Sequence, residues 1–168
     1  MLLCLEVFKP EEMKFVFIDT NTYVHYRFFD TLDWPSIVEA KKVRLVVTQT
    51  VVSELDKLKY TASSAKDRQR VKKIIKRLHE FQSNATKTKN GLISTINSDT
   101  DIEFQVFSSI PENVFTKYAL DQSSCDDNII ASVLTYKKPS EEDQVVLVTA
   151  DLGFSLKANH LEICTITL

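Results

Sequence analysis

Five acidic residues occupy positions at which an α/β chain collects its functional side chains. Asp19 directly follows the apolar run at residues 15–18, and Asp151 comes three residues after another apolar run, which ends at Val148. The other three lie at or near the beginnings of helical segments. In an open parallel sheet, ligands bind beyond the carboxyl ends of the strands, so Asp19, Glu54, Asp127 and Asp151 are predicted to meet at one edge, and Asp126 is a further candidate metal ligand beside them. The five are Asp19, Glu54, Asp126, Asp127 and Asp151.

A group of carboxylates at one edge is costly unless a cation balances it. Two carboxylates close together raise the pKa of one of them strongly, and a divalent cation removes this penalty. Carboxylate oxygens with water are the ligands expected for Mg²⁺ or Mn²⁺. Such a metal lowers the pKa of its bound water and stabilises the charge of an in-line displacement at phosphorus. The acids therefore predict metal-dependent hydrolysis of a phosphodiester.

Each acid also has a purely structural interpretation, which the spacing alone does not exclude. Glu54 and Asp126 favour helix formation as negative charges near a helix N-terminus. Asp127 fits a capping box, and Asp151 fits a helix N-cap. Asp19 is the hardest to explain in this way, because a charged residue directly after a buried strand is seldom surface decoration.

The basic residues are concentrated in one stretch of the chain. Residues 56–77 contain nine basic and two acidic residues, a net charge of +7, whereas the rest of the chain carries −9 and the whole chain −2. A positive segment in an otherwise acidic chain indicates a polyanion near it, and phosphate contacts give salt-sensitive affinity without sequence choice. The alternative is an ordinary solvated helix face. The candidate phosphate contacts are Lys57, Lys59, Lys66, Arg68, Arg70 and Lys73.

Apolar runs that alternate with helical patterns must position these side chains. Residues 15–18, 43–47 and 145–148 are mainly apolar, which is typical of strands buried on both faces. Residues 102–107 alternate between apolar and polar, as expected for a strand nearer an edge. Residues 162–166 are the last predicted strand. Strands that alternate with helices pair in parallel through right-handed crossovers. We therefore predict an α/β fold, a three-layer α/β/α arrangement around a central parallel sheet of about five strands.

Length and composition fit one domain. The chain has 168 residues, 43% of them hydrophobic and 26% charged, an ordinary globular balance. The domain is assigned to residues 13–168, with a basic helix at about 64–82 and a polar stretch at 83–101, which is a mobile loop or a small hairpin. Residues 1–12 are an N-terminal extension or an extra strand. No run of 18 apolar residues and no zinc-type cysteine pattern occurs, so we expect a cytoplasmic protein with no membrane span.

Four blocks of sequence resemble the PIN-domain nuclease pattern, in the order of that superfamily. They read IDTN from Ile18, VSELDKLK from Val52, DDNIIA from Asp126 and VTAD from Val148. One block would be a weak signal, but four in order on a matching strand–helix alternation are fairly specific. The surroundings of Trp34 resemble a bacterial PIN-like group within the superfamily.

The resemblance implies a metal-dependent nuclease with Mg²⁺ or Mn²⁺ as cofactor. Its helix motif selects Asp127 over Asp126 as the third acid. Family members commonly cut single-stranded RNA through a metal-activated water, leaving a 5′-phosphate and a 3′-hydroxyl, so we expect an endoribonuclease. The four matching acids are Asp19, Glu54, Asp127 and Asp151. The residues that match orienting positions, for the first acid or a metal-bound water, are Thr20, Asn21 and Thr149.

The resemblance also bears on protein partners. Many small bacterial members are toxins held by an antitoxin. This chain is longer than most of them, mainly through the basic helix and the stretch at 83–101. An antitoxin, another protein or a second copy of the chain is left open as a partner.

Two other interpretations come from different classes of protein. The first is a PIN-like scaffold that binds nucleic acid or a partner without catalysis, although a pure binder has no reason to collect negative charge beside its ligand. The second is an Asp-based phosphoryl enzyme or a receiver domain. The phosphatase type needs an acid where Asn21 stands, and the receiver type needs another order of acids along the chain.

Overall fold

The structure is a computed structural model that describes residues 13–89, 91–105 and 110–168. Within these residues, seven strands form one sheet. In chain order they are β1 (Met13–Ile18), β2 (Lys42–Val47), β3 (Thr86–Lys87), β4 (Gly91–Asn97), β5 (Thr100–Gln105), β6 (Gln144–Thr149) and β7 (Cys164–Thr167). Their order across the sheet is β3-β4-β5-β2-β1-β6-β7. The five strands from β5 to β7 pair in parallel, so the predicted parallel sheet of about five strands is confirmed.

Strand β1 lies inside the parallel part of the sheet, with β2 and β6 as its neighbours. Its residues Phe15, Val16, Phe17 and Ile18 each expose 2% of their surface or less. Because successive side chains of a strand point to opposite faces, four buried residues in a row mean that both faces of β1 are covered. The residue directly after β1 therefore lies at the carboxyl end of a buried, interior strand.

Seven α-helices connect or cover the strands in the described part of the chain. They are α1 (Thr20–His25), α2 (Trp34–Val38), α3 (Gln49–Thr61), α4 (Ala65–Ser83), α5 (Glu112–Tyr118), α6 (Cys125–Thr135) and α7 (Leu152–His160). Helices α3 and α4 pack against each other, and α3 also contacts α6. This packing brings the first turns of α3 and α6 to the same side of the sheet as the ends of β1 and β6.

Helix α4 is the predicted basic helix, one residue later than expected at both ends. The hydroxyl of Ser64 caps it by accepting a hydrogen bond of 2.9 Å from the backbone N–H of Asp67. Val71, Ile74 and Leu78 form its buried face. Its exposed lysines are Lys66, Lys72, Lys73 and Lys76.

The polar stretch at 83–101 contains the antiparallel strands β3 and β4, which favours the hairpin alternative over a mobile loop. Gly91 begins β4 with a φ of +157°, and a Cβ added there would lie 2.1 Å from the backbone oxygen of Phe104. A side chain at this position would push β4 away from β5. Glycine therefore permits the close pairing of these two strands.

The expectation that residues 102–107 lie nearer an edge is wrong for the described part of that strand. Strand β5 is an interior strand between β2 and β4. Its polar alternation is accommodated inside the protein because Arg44 of β2 lies 3.5 Å from Asp101 and 3.8 Å from Glu103. Paired charges of this kind can be buried where isolated ones cannot.

Some predictions fall on residues that the structure does not describe. They concern the N-terminal extension or extra strand at residues 1–12 and the end of the alternating strand at residues 106–107. Among the described helices, none combines the length and the apolar character that a membrane span requires.

Candidate active site

Asp19 is held at the junction of β1 and α1. It is 3% exposed and forms the N-cap of α1, with its Oδ1 accepting a hydrogen bond of 2.7 Å from the backbone N–H of Thr22. Its Oδ2 accepts a hydrogen bond of 2.5 Å from the hydroxyl of Thr149, at the end of β6. Two donors thus fix the orientation of a carboxylate that lies in the interior of the carboxyl edge.

The loop after β6 carries Asp151 and is tied to the same point. The backbone N–H of Asp151 donates to the Thr149 hydroxyl over 2.9 Å, and that of Ala150 donates to the Thr22 hydroxyl over 3.1 Å. The Asp151 side chain is exposed and caps α7 through a hydrogen bond of 2.9 Å from the N–H of Phe154. The predicted capping interpretation of Asp151 thus holds alongside its position at the edge.

Glu54 reaches the site from the second turn of α3. The hydroxyl of Thr20, the residue after Asp19, donates a short hydrogen bond to its Oε2. Cys125 lies at the start of α6, and burial, followed by the nearby Glu54 carboxylate, raises the pKa of its thiol. A raised pKa keeps the thiol protonated near neutral pH and argues against a nucleophilic cysteine here.

Asp127 is buried in the first turn of α6, with 3% of its surface exposed. Its backbone N–H is capped by the Ser124 hydroxyl over 3.3 Å. Its side chain turns to other partners, because Oδ2 accepts a hydrogen bond of 2.7 Å from the N–H of Asp121 and Oδ1 lies 2.5 Å from Nζ of Lys157. The capping box therefore explains the position of the backbone, and the carboxylate has contacts beyond it.

Asp126 is an exposed neighbour of these acids. Its carboxyl group is nevertheless partly buried, and this burial is the main cause that raises the pKa of Asp126. Repulsion from Glu54, Asp151, Asp19 and Asp127 contributes as well, in decreasing order. Three of these acids come from other segments of the chain, and Asp127 is the next residue of α6. The five predicted acids lie close enough to interact electrostatically at the carboxyl edge.

The donor set fits a hard divalent cation, since carboxylates dominate it and their mutual repulsion is a penalty that such a cation relieves. In the present conformation, however, no three His, Cys, Asp or Glu side chains of the described ranges converge closely enough to hold a metal ion. The Thr20, Thr149 and Lys157 side chains engage Glu54, Asp19 and Asp127, respectively. To share a cation, the carboxylates would have to change their positions and these contacts.

The predicted orienting residues differ in what they contact. Thr20 and Thr149 are buried and donate to acids, as described above. Asn21 is exposed in the first turn of α1, and its side chain makes no hydrogen bond to any of the five acids among the described contacts. An orienting role for Asn21 remains a prediction that these contacts do not support.

The six candidate phosphate contacts also divide into two groups. Lys57, Lys66 and Lys73 are exposed. The other three are engaged within the chain, with Lys59 paired to Asp56 at 2.8 Å, Arg68 bound to the backbone oxygen of Ala62 at 2.5 Å and Arg70 stacked 4.7 Å from the ring centre of Phe28. The exposed lysines are therefore the ones free to meet a polyanion.

Sequence reasoning missed three residues that contact the site, namely Thr22, Lys157 and Asp121. Thr22 could have been found, because a Thr three residues after an N-cap carboxylate is a typical first-turn partner. Lys157 gives no such signal, since its partner Asp127 lies 30 positions earlier on another helix. Asp121 contributes its backbone N–H, which carries no residue-specific pattern.

The fold and the four blocks of residues define a known class of protein. The sequence profile of the PIN domain family matches residues 16–168, so the chain belongs to the PIN domain family, and the predicted resemblance is confirmed. Proteins of this family are generally nucleases and typically use divalent metal ions.

Comparison with an individual solved structure supports the fold and gives no information on function. The chain is similar to a solved structure described as a domain of a functionally unknown protein from Methanocaldococcus jannaschii DSM 2661. The two have 16% sequence identity and a TM-score of 0.54, and the alignment covers 92% of this chain and 91% of the other. No curated protein matches the chain.

Proposed function

We propose that this chain is a Mg²⁺- or Mn²⁺-dependent endoribonuclease that hydrolyses single-stranded RNA. The observation that carries the proposal is that acids from separate segments lie near one another. The Thr149 hydroxyl contacts both the Asp19 carboxylate and the backbone N–H of Asp151. Burial, followed by repulsion from the other acids, raises the pKa of Asp126. A fold gains nothing in stability from such repulsion. The repulsion among these carboxylates is explained if they bind a divalent cation during catalysis.

The metal would be held by oxygens of the five acids, which are the ligands that Mg²⁺ and Mn²⁺ prefer. When bound, it would supply Lewis-acid stabilisation of the negative charge that develops at phosphorus. The chain's own residues supply orientation. Thr149 and the N–H of Thr22 hold Asp19, and Thr20 holds Glu54.

The exposed lysines of α3 and α4 support a nucleic acid as substrate. Lys57, Lys66 and Lys73 carry positive charge on an otherwise acidic chain. Such contacts bind the phosphate backbone without reading bases, and they favour a flexible strand that can bend toward the acids. Single-stranded RNA is the substrate class that the family resemblance favours, and a protein partner such as an antitoxin would be a separate interaction.

A second candidate function is a scaffold that binds nucleic acid or protein without catalysis. One specific observation favours it, because three of the acids are already engaged by donors of the chain and no three converge. A site used only for packing would look the same. Calorimetry with Mn²⁺ separates the two candidates, since a scaffold need not bind the cation.

The test is a cleavage assay of the pure protein on single-stranded RNA, transfer RNA and single- and double-stranded DNA, with Mn²⁺ or with EDTA. We expect cleavage of single-stranded RNA that EDTA stops. Asp19→Asn should lower the rate by at least about 100-fold while the circular dichroism spectrum is unchanged. Asp99→Asn is the matched control. Asp99 is exposed just before β5, at the amino end of that strand and not at the carboxyl end where the acids lie.

The other outcomes each decide something. Unchanged cleavage by Asp19→Asn would show that the activity comes from another site or a contaminant. Cleavage of DNA alone would refute the RNA substrate and leave the metal site standing. Absence of both Mn²⁺ binding and cleavage of any substrate would favour the scaffold.

A further inference from the structure

Lys157 contacts the candidate site from α7. Its Nζ lies 2.5 Å from Oδ1 of Asp127. Among the salt bridges within the described residues, this is the one that involves any of the five acids. The site thus has a cation of its own, supplied by the chain.

The other donors to Asp19 and Asp127 carry no charge and cannot act as a counter-cation. Asp19 is held by a backbone N–H and by the buried hydroxyl of Thr149, neither of which carries a charge. Asp127 receives a neutral donor at Oδ2, from the N–H of Asp121, and a charged one at Oδ1. The Lys157 side chain is 43% exposed, whereas that of Asp127 is 4% exposed. The ammonium can therefore turn into solvent, while the carboxylate stays in place.

We propose that Lys157 is the resident counter-cation of the acidic site and competes with a divalent cation for the carboxylate of Asp127. This inference rests on the metal site of the proposed function and adds a regulation of that site. In the metal-free protein, the ammonium balances Asp127 and holds it in position. When Mg²⁺ or Mn²⁺ binds, Lys157 gives up this oxygen and turns outward.

The competition has a cost for metal binding that can be measured. A positive charge a few ångströms from a cation site weakens the binding of the cation, through repulsion and through occupation of a ligand oxygen. Removal of the ammonium should therefore strengthen divalent binding. It should also destabilise the metal-free protein, because Asp127 is left buried without its counter-charge. A merely structural lysine would give the second effect without the first.

The experiment is calorimetric titration of the full chain with Mn²⁺ at low ionic strength. We expect Lys157→Gln to bind Mn²⁺ about 5- to 30-fold more tightly than the wild type. Lys157→Arg keeps the charge and should bind within about twofold of the wild type. Lys137→Gln, an exposed lysine after α6, is the matched control for the loss of one positive charge and should also stay near the wild type. Equal or weaker binding by Lys157→Gln overturns the proposal.

A second measurement needs no variant and covers the case in which Lys157→Gln fails to fold. Reductive methylation of the wild type, followed by peptide mass spectrometry, reports how accessible each lysine is. Addition of Mg²⁺ should raise the modification of Lys157 relative to Lys137, and an unchanged or lower ratio overturns the competition. If the wild type binds Mn²⁺ and Asp19→Asn does not, the metal site stands whatever Lys157 does. If the wild type binds no divalent cation, both proposals fail.

Discussion

The hydroxyl of Thr149 donates a hydrogen bond of 2.5 Å to Oδ2 of Asp19 and joins two residues that are 130 positions apart. The same hydroxyl accepts a hydrogen bond from the N–H of Asp151 over 2.9 Å. One buried side chain therefore links the first and last acids of the candidate site. The end of β6 therefore contacts the acids of the site directly.

Replacement of Thr149 by Val should lower both activity and stability. The variant keeps the shape of the side chain, but it leaves the buried Asp19 carboxylate without one donor and the Asp151 N–H without its acceptor. We expect a loss of about 1–3 kcal/mol in the free energy of unfolding, measured in urea. The cleavage rate should fall about 10- to 100-fold. Thr149→Ser keeps the hydroxyl and should recover most of both, and a Val variant that matches the wild type would show that the bond is unimportant.

Replacement of Thr20 by Val should affect activity more than stability. Thr20 donates to Glu54, and Glu54 is only partly buried, so water can solvate its carboxylate when this donor is lost. The free energy of unfolding should change by less than about 1 kcal/mol, whereas the cleavage rate should fall about tenfold because Glu54 loses its orientation. Thr95→Val is a matched control, since Thr95 donates to Asp101 over 3.2 Å outside the site. Equal rates for the two variants would contradict an orienting role for Thr20.

The positions of the acids could be predicted because they follow from burial. Asp19 lies after a strand whose four preceding side chains are buried on alternate faces, so the sequence pattern alone predicts where that strand ends. The same reasoning applies to Asp151 after β6. Glu54 and Asp127 follow from helix starts, which capping residues mark in the sequence.

The contacts among distant side chains could not be predicted in the same way. Strand β5 alternates polar and apolar residues, which favours an edge. In the interior, however, Glu103 is paired with Arg44 of the neighbouring strand and accepts a hydrogen bond from the hydroxyl of Tyr136 after α6. The sequence around residue 103 does not predict either partner. The pairing of Lys157 with Asp127 is hidden for the same reason, since it depends on how α7 packs beside α6.

The basic residues of α4 should separate into phosphate contacts and packing residues. Lys66→Gln and Lys73→Gln should each weaken binding of single-stranded RNA and lower the slope of log affinity against log salt by about 0.7. Fluorescence anisotropy between about 50 and 200 mM salt measures this slope. If both slopes equal that of the wild type, these lysines do not touch phosphate.

Arg70 should behave differently from these lysines. Its guanidinium stacks on Phe28, so Arg70→Gln should cost about 0.5–1 kcal/mol of stability. The salt slope for RNA binding should stay the same within error. Arg70→Lys keeps the charge but loses the planar stack, so it should show a similar loss of stability. A slope that falls in Arg70→Gln but is kept in Arg70→Lys would place this residue among the phosphate contacts instead.

Glu103 should make the stability of the protein depend on pH in a direction opposite to that of most carboxylates. Burial raises the pKa of Glu103, and the hydrogen bond from Tyr136 and the charge of Arg44 offset this only in part. A carboxyl group with a raised pKa stabilises the fold most when it is protonated, below its ordinary pKa. This contribution is lost as the pH rises through the raised pKa of the folded protein. Glu103→Gln cannot titrate, and Arg44 keeps Asp101 as a partner in that variant.

We therefore expect Glu103→Gln to gain stability relative to the wild type as the pH rises from about 4 to 7. Urea unfolding of both proteins across this pH range measures the difference. Glu142→Gln is the control, because Glu142 is exposed in the loop before β6 and should give a nearly constant difference. A Glu103→Gln variant whose relative stability falls with rising pH would mean that Arg44 and Tyr136 outweigh burial. The pair with Arg44 would then be a net source of stability for the interior position of β5.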